Sequence, residues 1–469
     1  MVAEKLAFRG PLYSSCVPAY SAEDFTKRKM LGYPDHRLVS LSVPINRAPD
    51  TMDEFRFLHL ADIHLDSPMI GLSKYEGVPV EEIRLATRVA LTNAVDLAIE
   101  EKVEFVLISG DIYDGDWPHF GTGLFFCSEM GRLERAGIEV YVLYGNHDAE
   151  SVLTKKLPLP KNVHTFHTNK AESIRHERTG TLIHGRSYKD KDTKENLAIQ
   201  YPEAVPGVLN IGMLHTALSG RPPHAPYAPC SVSELAAKGY DYWALGHVHD
   251  FEIVSTDPYI IYPGNLQGRT IREAGKKGAV LVTVRDGAIL NEPERRIIDS
   301  VRWFHAKVDA AGIEDQESLE ERVRVSLEEA LEQSNGLPTV VRLSIIGSTP
   351  LHGWLISRED QVKQDVRAIA ISLSDALWIE RISLKTSPTA TITSQAGSAD
   401  ELNAILEQAL ADPDFSLEII EALADFVNRL PAELGKDDGL LRQVREGSVA
   451  ELILDSVAAL SSRVEEPTV

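Results

Sequence analysis

From Phe55 onward, short apolar runs alternate with longer amphipathic stretches. The runs FRFLHL, FVLIS, VYVLY, LNIGML and YWAL have the length and the β-branched and aromatic content of strands. Between the first two, residues 81–101 bring Ile83, Ala86, Val89, Ala90, Ala94, Leu97 and Ala98 to one helical face, the pattern of a crossover helix. Strands alternating with helices predict an α/β sheet covered by helices. Near residue 295, after GAVLVTV and the Asp286-Gly287 turn, the pattern changes. Residues 301–384 read as strand, helix, strand, helix, strand, with a capping box at Ser318 and Glu321 and a stop at Gly336. The connector TSPTATITSQAGSAD then leads to LEIIEALADFV and VAELILDSVAAL, which read as helices that pack on the body or on a partner.

The division expected is therefore an extension over 1–51, a catalytic unit over 52–297, a small α/β accessory unit over 298–386, and a linker with a helical tail over 387–469. Residues 1–51 show no sustained period; they read as a disordered tail or as residues upstream of a start at Met52, and Glu4, Glu23, Asp24 and Asp35 argue against a transit peptide.

Composition narrows the class only slightly. A chain of 469 residues exceeds what one core supports, and 43% apolar with 25% charged residues is ordinary for a globular protein. No apolar stretch is long enough to span a membrane and the start lacks a secretory apolar segment, so the cytoplasm is the expected location. Cys16, Cys127 and Cys230 form no C-x-x-C pair, which removes a zinc knuckle or a disulfide framework from consideration. A net charge of -22 weighs against a polyanionic partner, but part of it is carboxylate that bound metal would neutralise.

The residues that follow the apolar runs carry the chemistry. ADIH, GDIYD, GNHD, HTAL and GHVH come after successive strands, at the edge where open α/β sheets place their ligands. Hydrolysing a phosphate ester near neutral pH requires an activated water and positive charge on the phosphoryl oxygens, which two adjacent divalent ions supply. Asp62 and His64 alternate along a strand end and suit one ion, Asp111 is the candidate bridge, Asn146, His215 and His247 suit the second ion, and His249 returns to the first. This mixed N/O set favours two divalent ions of the Mn, Fe or Zn kind, with Mn placed first. His147 is expected beside the phosphate as general acid, with Asp148 orienting its ring. His36, His59, His119, His164, His167, His176, His184, His305 and His352 are read as packing or surface residues. Arg221, His224, Arg269 and Arg272, with Lys276 and Lys277, are the basic groups expected to contact a phosphodiester backbone.

The blocks D-x-H, G-D-x-x-D, G-N-H-D, H and G-H-x-H together resemble the calcineurin-like metallophosphoesterases over about residues 55–285. The resemblance implies a four-layer sandwich of two mixed sheets flanked by helices, with Asp62, His64, Asp111, Asn146, His215, His247 and His249 as metal ligands and His147 as the catalytic histidine. The longer segments FLHLADIHLDSP, GDIYDGDW, HTALSGRPPHAPYAPC and YPGNLQGRTIREAGKKG resemble the DNA repair exonucleases of the SbcD type, in particular a bacterial YhaO-like branch. That likeness implies a DNA substrate, a capping unit matching 301–384, and an SMC-like ATPase partner bound through helices such as those near 400–462; a homodimer is a further expectation. Related nucleases carry a histidine three residues after the bridging aspartate, where this chain has Asp114, a departure that bears on polarity and strength of cleavage. Competing readings are a phosphomonoesterase, disfavoured because GDIYDGDW holds no arginine to grip a terminal phosphate, a cyclic nucleotide phosphodiesterase, and a non-catalytic scaffold, which would be expected to lose ligands.

Overall fold

The structure, a computed structural model, describes residues 54–67, 83, 85–114, 120–150, 158–219, 227–389 and 423. The extension, most of the connector and the helices expected in the tail lie outside the described residues.

Two mixed sheets carry the site. In the first, β1 (Glu54–Leu60), β2 (Phe105–Ser109), β3 (Glu139–Leu143) and β4 (Val163–Thr165) run parallel. The antiparallel β11 (Gly278–Arg285) flanks β1 and pairs in turn with β12 (Ala288–Ile289) and β13 (Glu294–Ile297). The second sheet has the order β5-β6-β7-β8-β10-β9, with β6 (Leu182–Gly185), β7 (Asn210–His215), β8 (Tyr242–Gly246) and β10 (Tyr259–Tyr262) parallel. The edge strands β5 (Glu172–Arg175) and β9 (Glu252–Thr256) are antiparallel to their neighbours.

The apolar runs are nearly continuous because both faces of each sheet are covered. Phe55, Phe57, Phe105, Leu107, Tyr141 and Leu143 of the first sheet meet Ile211, Met213, Tyr242, Ala244 and Ile261 of the second in one core. The alternate residues Leu58, Leu60, Val106, Ile108, Val140 and Val142 pack outward, against helices α1 (Ala86–Glu100) and α2 (Phe120–Arg135). On the far side, Trp243, Leu245 and Ile260 pack beneath α4 (Val232–Ala236), the next helix after the single turn α3 (Asn146–Glu150). The result is the four-layer arrangement of two sheets between helices. Helix α1 is rotated from the face expected: Leu91 and Val95 join Ala86, Ala90, Ala94 and Ala98 inside, whereas Val89 is 44% exposed. The alanines at 86, 90, 94 and 98 form a small-residue stripe inside, with the larger Leu91 and Val95 on its flank.

A third sheet of parallel strands β14 (Arg302–Asp309), β15 (Thr339–Ser348) and β16 (Leu377–Ser387) follows. Helices α5 (Gln316–Ser334) and α7 (Glu359–Leu373) cover one face of it through Leu319, Val323, Leu327, Val362 and Val366, with the short α6 (His352–Ser357) between them in sequence. The cap of α5 is Asp315 and not Ser318: Asp315 is extended at φ -138° and its carboxylate accepts from the Ser318 amide at 2.8 Å. Asp offers two oxygens at the cap position, and Ser318 spends its own hydroxyl on one of them. At the other end Asn335 takes the left-handed conformation one residue before Gly336.

Phe57 stacks on Phe105 at 5.1 Å and meets Tyr242 edge-on at 5.3 Å, joining the two sheets. Truncation by Phe57→Ala is expected to cost about 3–5 kcal/mol in urea unfolding, whereas Ile371→Ala, at a position 69% exposed on α7, should change stability by under about 0.5 kcal/mol.

Candidate metal centre

Five strands, β1, β2, β3, β7 and β8, deliver their carboxyl ends to one place. The loop after β1 runs beside the loop after β2, with the Asp62 amide donating to Gly110 O and the His64 amide to Asp111 O, both at 3.0 Å. Asp62, His64, Asp111 and His247 have φ of 51°, 45°, 53° and 103°, a region that side chains with a Cβ rarely occupy. Strain of this kind costs roughly 1–3 kcal/mol per residue and persists where the surroundings over-determine it. The glycines of the motifs have a close-packing reason. A Cβ on Gly145 would lie 2.3 Å from Asp111 Oδ1, and one on Gly246 would lie 2.0 Å from Ser109 O and 2.9 Å from His215 Nδ1.

The side chains converge as two overlapping groups. Asp62, His64 and His249 form one, with His64 Nε2 and His249 Nε2 only 3.2 Å apart and His249 Nε2 3.6 Å from Asp62 Oδ1. Asp62, Asp111 and His215 form the other, with His215 Nε2 3.3 Å from Asp111 Oδ2 and 3.0 Å from Asn146 Oδ1. His64 and Asp111 also group with His147. His247 stands edge-on to His215 with ring centroids 5.3 Å apart, and its amide donates to Asp62. All seven residues expected as ligands therefore border one buried space; Asp62 belongs to both groups, and Asp111 Oδ2 lies 4.0 Å from His64 Nε2.

The electrostatics of this space are those of a cation site. Burial pushes the Asp62 carboxyl up, with His249 and His215 opposing. Burial would raise Asp111 as well, but His215 beside it outweighs that and holds its carboxyl below the usual range. In turn burial would lower His215, and Asp111 and Asp62 hold it at about 9. His64 is kept neutral, down to about 3, by burial and by Arg269. Two imidazole lone pairs facing each other across 3.2 Å, with two shared buried carboxylates and an amide oxygen, form a donor set that fits two divalent ions. Because Asp111 and Asp62 hold a proton on His215, ion binding there must release it.

Three residues that the motifs alone did not single out hold this set in place. Asp114 Oδ1 lies 3.1 Å from His147 Nδ1 and 3.6 Å from His64 Nδ1, while its other oxygen accepts from Ser67 at 2.6 Å. Glu273 accepts at 2.8 Å from His249 Nδ1, leaving Nε2 turned to the ion space. Lys277 is buried and donates to the His249 carbonyl at 2.8 Å. Glu273 had no motif signal; Asp114 was visible only as a departure from a histidine.

Three expectations change. Asp148 does not orient His147: its buried carboxylate accepts from the amides of Ile112, Tyr113 and Gly145, so it ties the second and third motif loops together, and Asp114 is the group on the His147 ring. Burial and the neighbouring Asp111 push Asp148 up to about 7. Arg269 is largely buried and paired with Glu273 at 2.7 Å, with Asp114 3.7 Å away, so it braces the site and is not a free contact for a backbone. Lys277 is committed in the same way to the loop carrying His249. Arg272 and Lys276 are exposed, and Arg221 and His224 lie outside the described residues.

Residues 55–251 match the calcineurin-like phosphoesterase family, and residues 303–387 match the middle domain of metallophosphoesterase YhaO. The metallophosphoesterase YhaO of Bacillus subtilis is 35% identical over 309 residues, 65% of this chain and 74% of the relative. The DNA double-strand break repair protein Mre11 of Sulfurisphaera tokodaii is 26% identical over 210 residues, 44% of this chain and 52% of its own. Its namesake from Sulfolobus acidocaldarius is 21% identical over 395 residues, covering 80% of this chain and 94% of its own.

Since a Cβ on Gly145 would collide with Asp111, Gly145→Ala is expected to lower divalent-ion affinity at least about tenfold, a shift of about 1.4 kcal/mol, while far-ultraviolet circular dichroism stays unchanged. Titration calorimetry with Mn(II) checks this; unchanged affinity would mean that Asp111 does not hold the ion.

Proposed function

The chain belongs to the calcineurin-like metallophosphoesterases, a family of phosphoester hydrolases, and from that we propose that it is a DNA exonuclease acting in repair. The observation that carries the reading is the His147 and Asp114 pair standing beside the donor set of the two ions. Mre11 relatives that include one covering 80% of this chain supply the substrate class.

Two divalent ions, Mn first among the candidates, would be held by Asp62, His64, Asp111, Asn146, His215, His247 and His249, and when bound they supply an activated water and charge for the phosphoryl oxygens. The rest is the work of side chains. Burial alone would lower the His147 pKa, but the hydrogen bond to Asp114, together with Asp111, raises it above the ordinary histidine value. The ring therefore holds its proton to a higher pH than an ordinary histidine, and being 34% exposed it can present that proton to the leaving 3′ or 5′ oxygen of a bound backbone. Asp114 is itself held well below the usual carboxylate range, first by its hydrogen bond to His147 and then by His64, so it stays charged and fixes the ring. Residues 52–297 act as the catalytic unit and 298–386 as the accessory one. The further expectations, a cytoplasmic location, a homodimer and an SMC-like ATPase partner at the helices of 400–462, belong to the same reading. Among the described residues no helix is long and apolar enough to cross a membrane.

With Mn(II), the protein is expected to release nucleotides from an end-labelled duplex or single strand and to turn over a small phosphomonoester poorly. His147→Ala should reduce DNA degradation by about 10²–10⁴-fold, the usual contribution of a general acid, with ion affinity nearly intact. Intact DNA alongside rapid cleavage of the monoester or of a cyclic nucleotide would leave the hydrolase standing and remove the nuclease.

A further inference from the structure

Among the described residues, helices cover one face of the third sheet. Ala306, Val308, Val341, Leu343, Ile345 and Ile382 point into the helices, so the intervening positions point the other way. At one end of that other face, Trp303 and Val340 pack against Ile271 in the short turn Ile271–Glu273 that also supplies Glu273 to His249. Beyond this end the face is polar and basic. The cross-strand register aligns His305 with Arg342 and Arg381, Lys307 with Ser344 and Ser383, and Asp309 with Ile346 and Lys385. Lys307 and Lys385 are exposed, and Arg381 is partly so. None of these three makes an ion pair among the described residues, whereas Arg342 is held by Glu380 through two hydrogen bonds of 2.7 Å. The one remaining acid of the rows, Asp309, accepts from the Ala311 amide. His305, in the first of the rows, is held below its usual range by burial and then by Arg342, with Lys307 adding to the effect.

A chain of net charge -22 has thus gathered unpaired cations and hydroxyls on one open sheet face, beginning one short turn from a ligand of the metal centre. Adjacent strands stand about 4.8 Å apart and same-face residues about 6.7 Å apart along a strand, so Lys307 on β14 and Arg381 and Lys385 on β16 stand roughly 12–13 Å from one another, spread along the length of a backbone segment of a few nucleotides. We propose that this face, centred on Lys307, Arg381 and Lys385, binds the sugar-phosphate backbone of the DNA whose end lies at the metal centre. The inference rests on the nuclease reading above and names the surface that holds the substrate at a distance from the cut. The contacts are to phosphate and hence independent of sequence. An acidic protein is disfavoured as occupant because along β16 the hydroxyl of Ser383 stands between Arg381 and Lys385, a mix of cation and neutral donor that suits phosphate oxygens.

The test uses the full chain and a triple variant, Lys307→Gln with Arg381→Gln and Lys385→Gln, binding a fluorescein-labelled duplex across a range of salt. The variant should bind at least about tenfold more weakly at low salt, and the slope of log affinity against log salt should fall by about two to three, since each phosphate contact contributes about 0.9. Turnover of bis(p-nitrophenyl) phosphate, which reaches only the metal centre, should be unchanged. A variant with the wild-type affinity and slope would overturn the inference and leave the nuclease standing, even if an acidic protein were found on the face. A wild-type protein that binds no DNA but cleaves the small diester would overturn both.

Discussion

Everything in the catalytic unit is arranged around the cost of two buried carboxylates. Asp62 and Asp111 are fully or almost fully shielded from solvent and face the same small space. An ion of that size withdrawn from water costs several kcal/mol even after relaxation, and two of like sign repel as well. The chain answers with imidazoles: His215 carries a proton between them, the ring of His64 is kept neutral by burial, and His64 and His249 turn their Nε2 atoms inward. Lone pairs so arranged repel each other unless a cation or a proton lies between. The left-handed backbone at Asp62, His64 and Asp111 is the strain that this convergence imposes, and the parallel ladders of both sheets hold it.

Outside the donor set, a set of charged groups turns a cluster of ligands into an oriented machine. Asp114 holds His147, Glu273 holds His249, and Arg269 stands between the two carboxylates within 4 Å of each. Arg269 and Glu273 come from the segment that packs on Trp303 of the third sheet. The accessory sheet therefore does mechanical work for the metal centre through one 3-10 turn, and its open face continues from that turn. Lys277, from the same segment, fixes the His249 backbone.

Much of this was legible in the chain. The strand runs and the polar residues after them located the two sheets and six of the residues that border the candidate metal space, because strand periodicity and strand-end position are local signals. The amide of Asn146 was readable for the same reason, sitting behind Gly145 at the end of β3. What stayed hidden depends on long-range packing. Asp148 looked like a partner of His147 because the two are adjacent in sequence, yet at the start of α3 adjacent side chains diverge, and the carboxylate meets three amides of other loops. Arg269 and Lys277 looked like substrate contacts because composition cannot tell an exposed cation from one buried against a carboxylate. The buried face of α1 includes Leu91 and Val95, which periodicity ranks no differently from Val89.

The claim on which the rest stands is that this space is built for two ions. Titration calorimetry of the metal-stripped protein with Mn(II), in buffers of different ionisation enthalpy, tests it directly. The account predicts two ions per chain, release of protons as His215 gives up its own, and loss of both ions in Asp111→Asn with the fold retained. Binding of a single ion without proton release, or unaltered binding in Asp111→Asn, would contradict it.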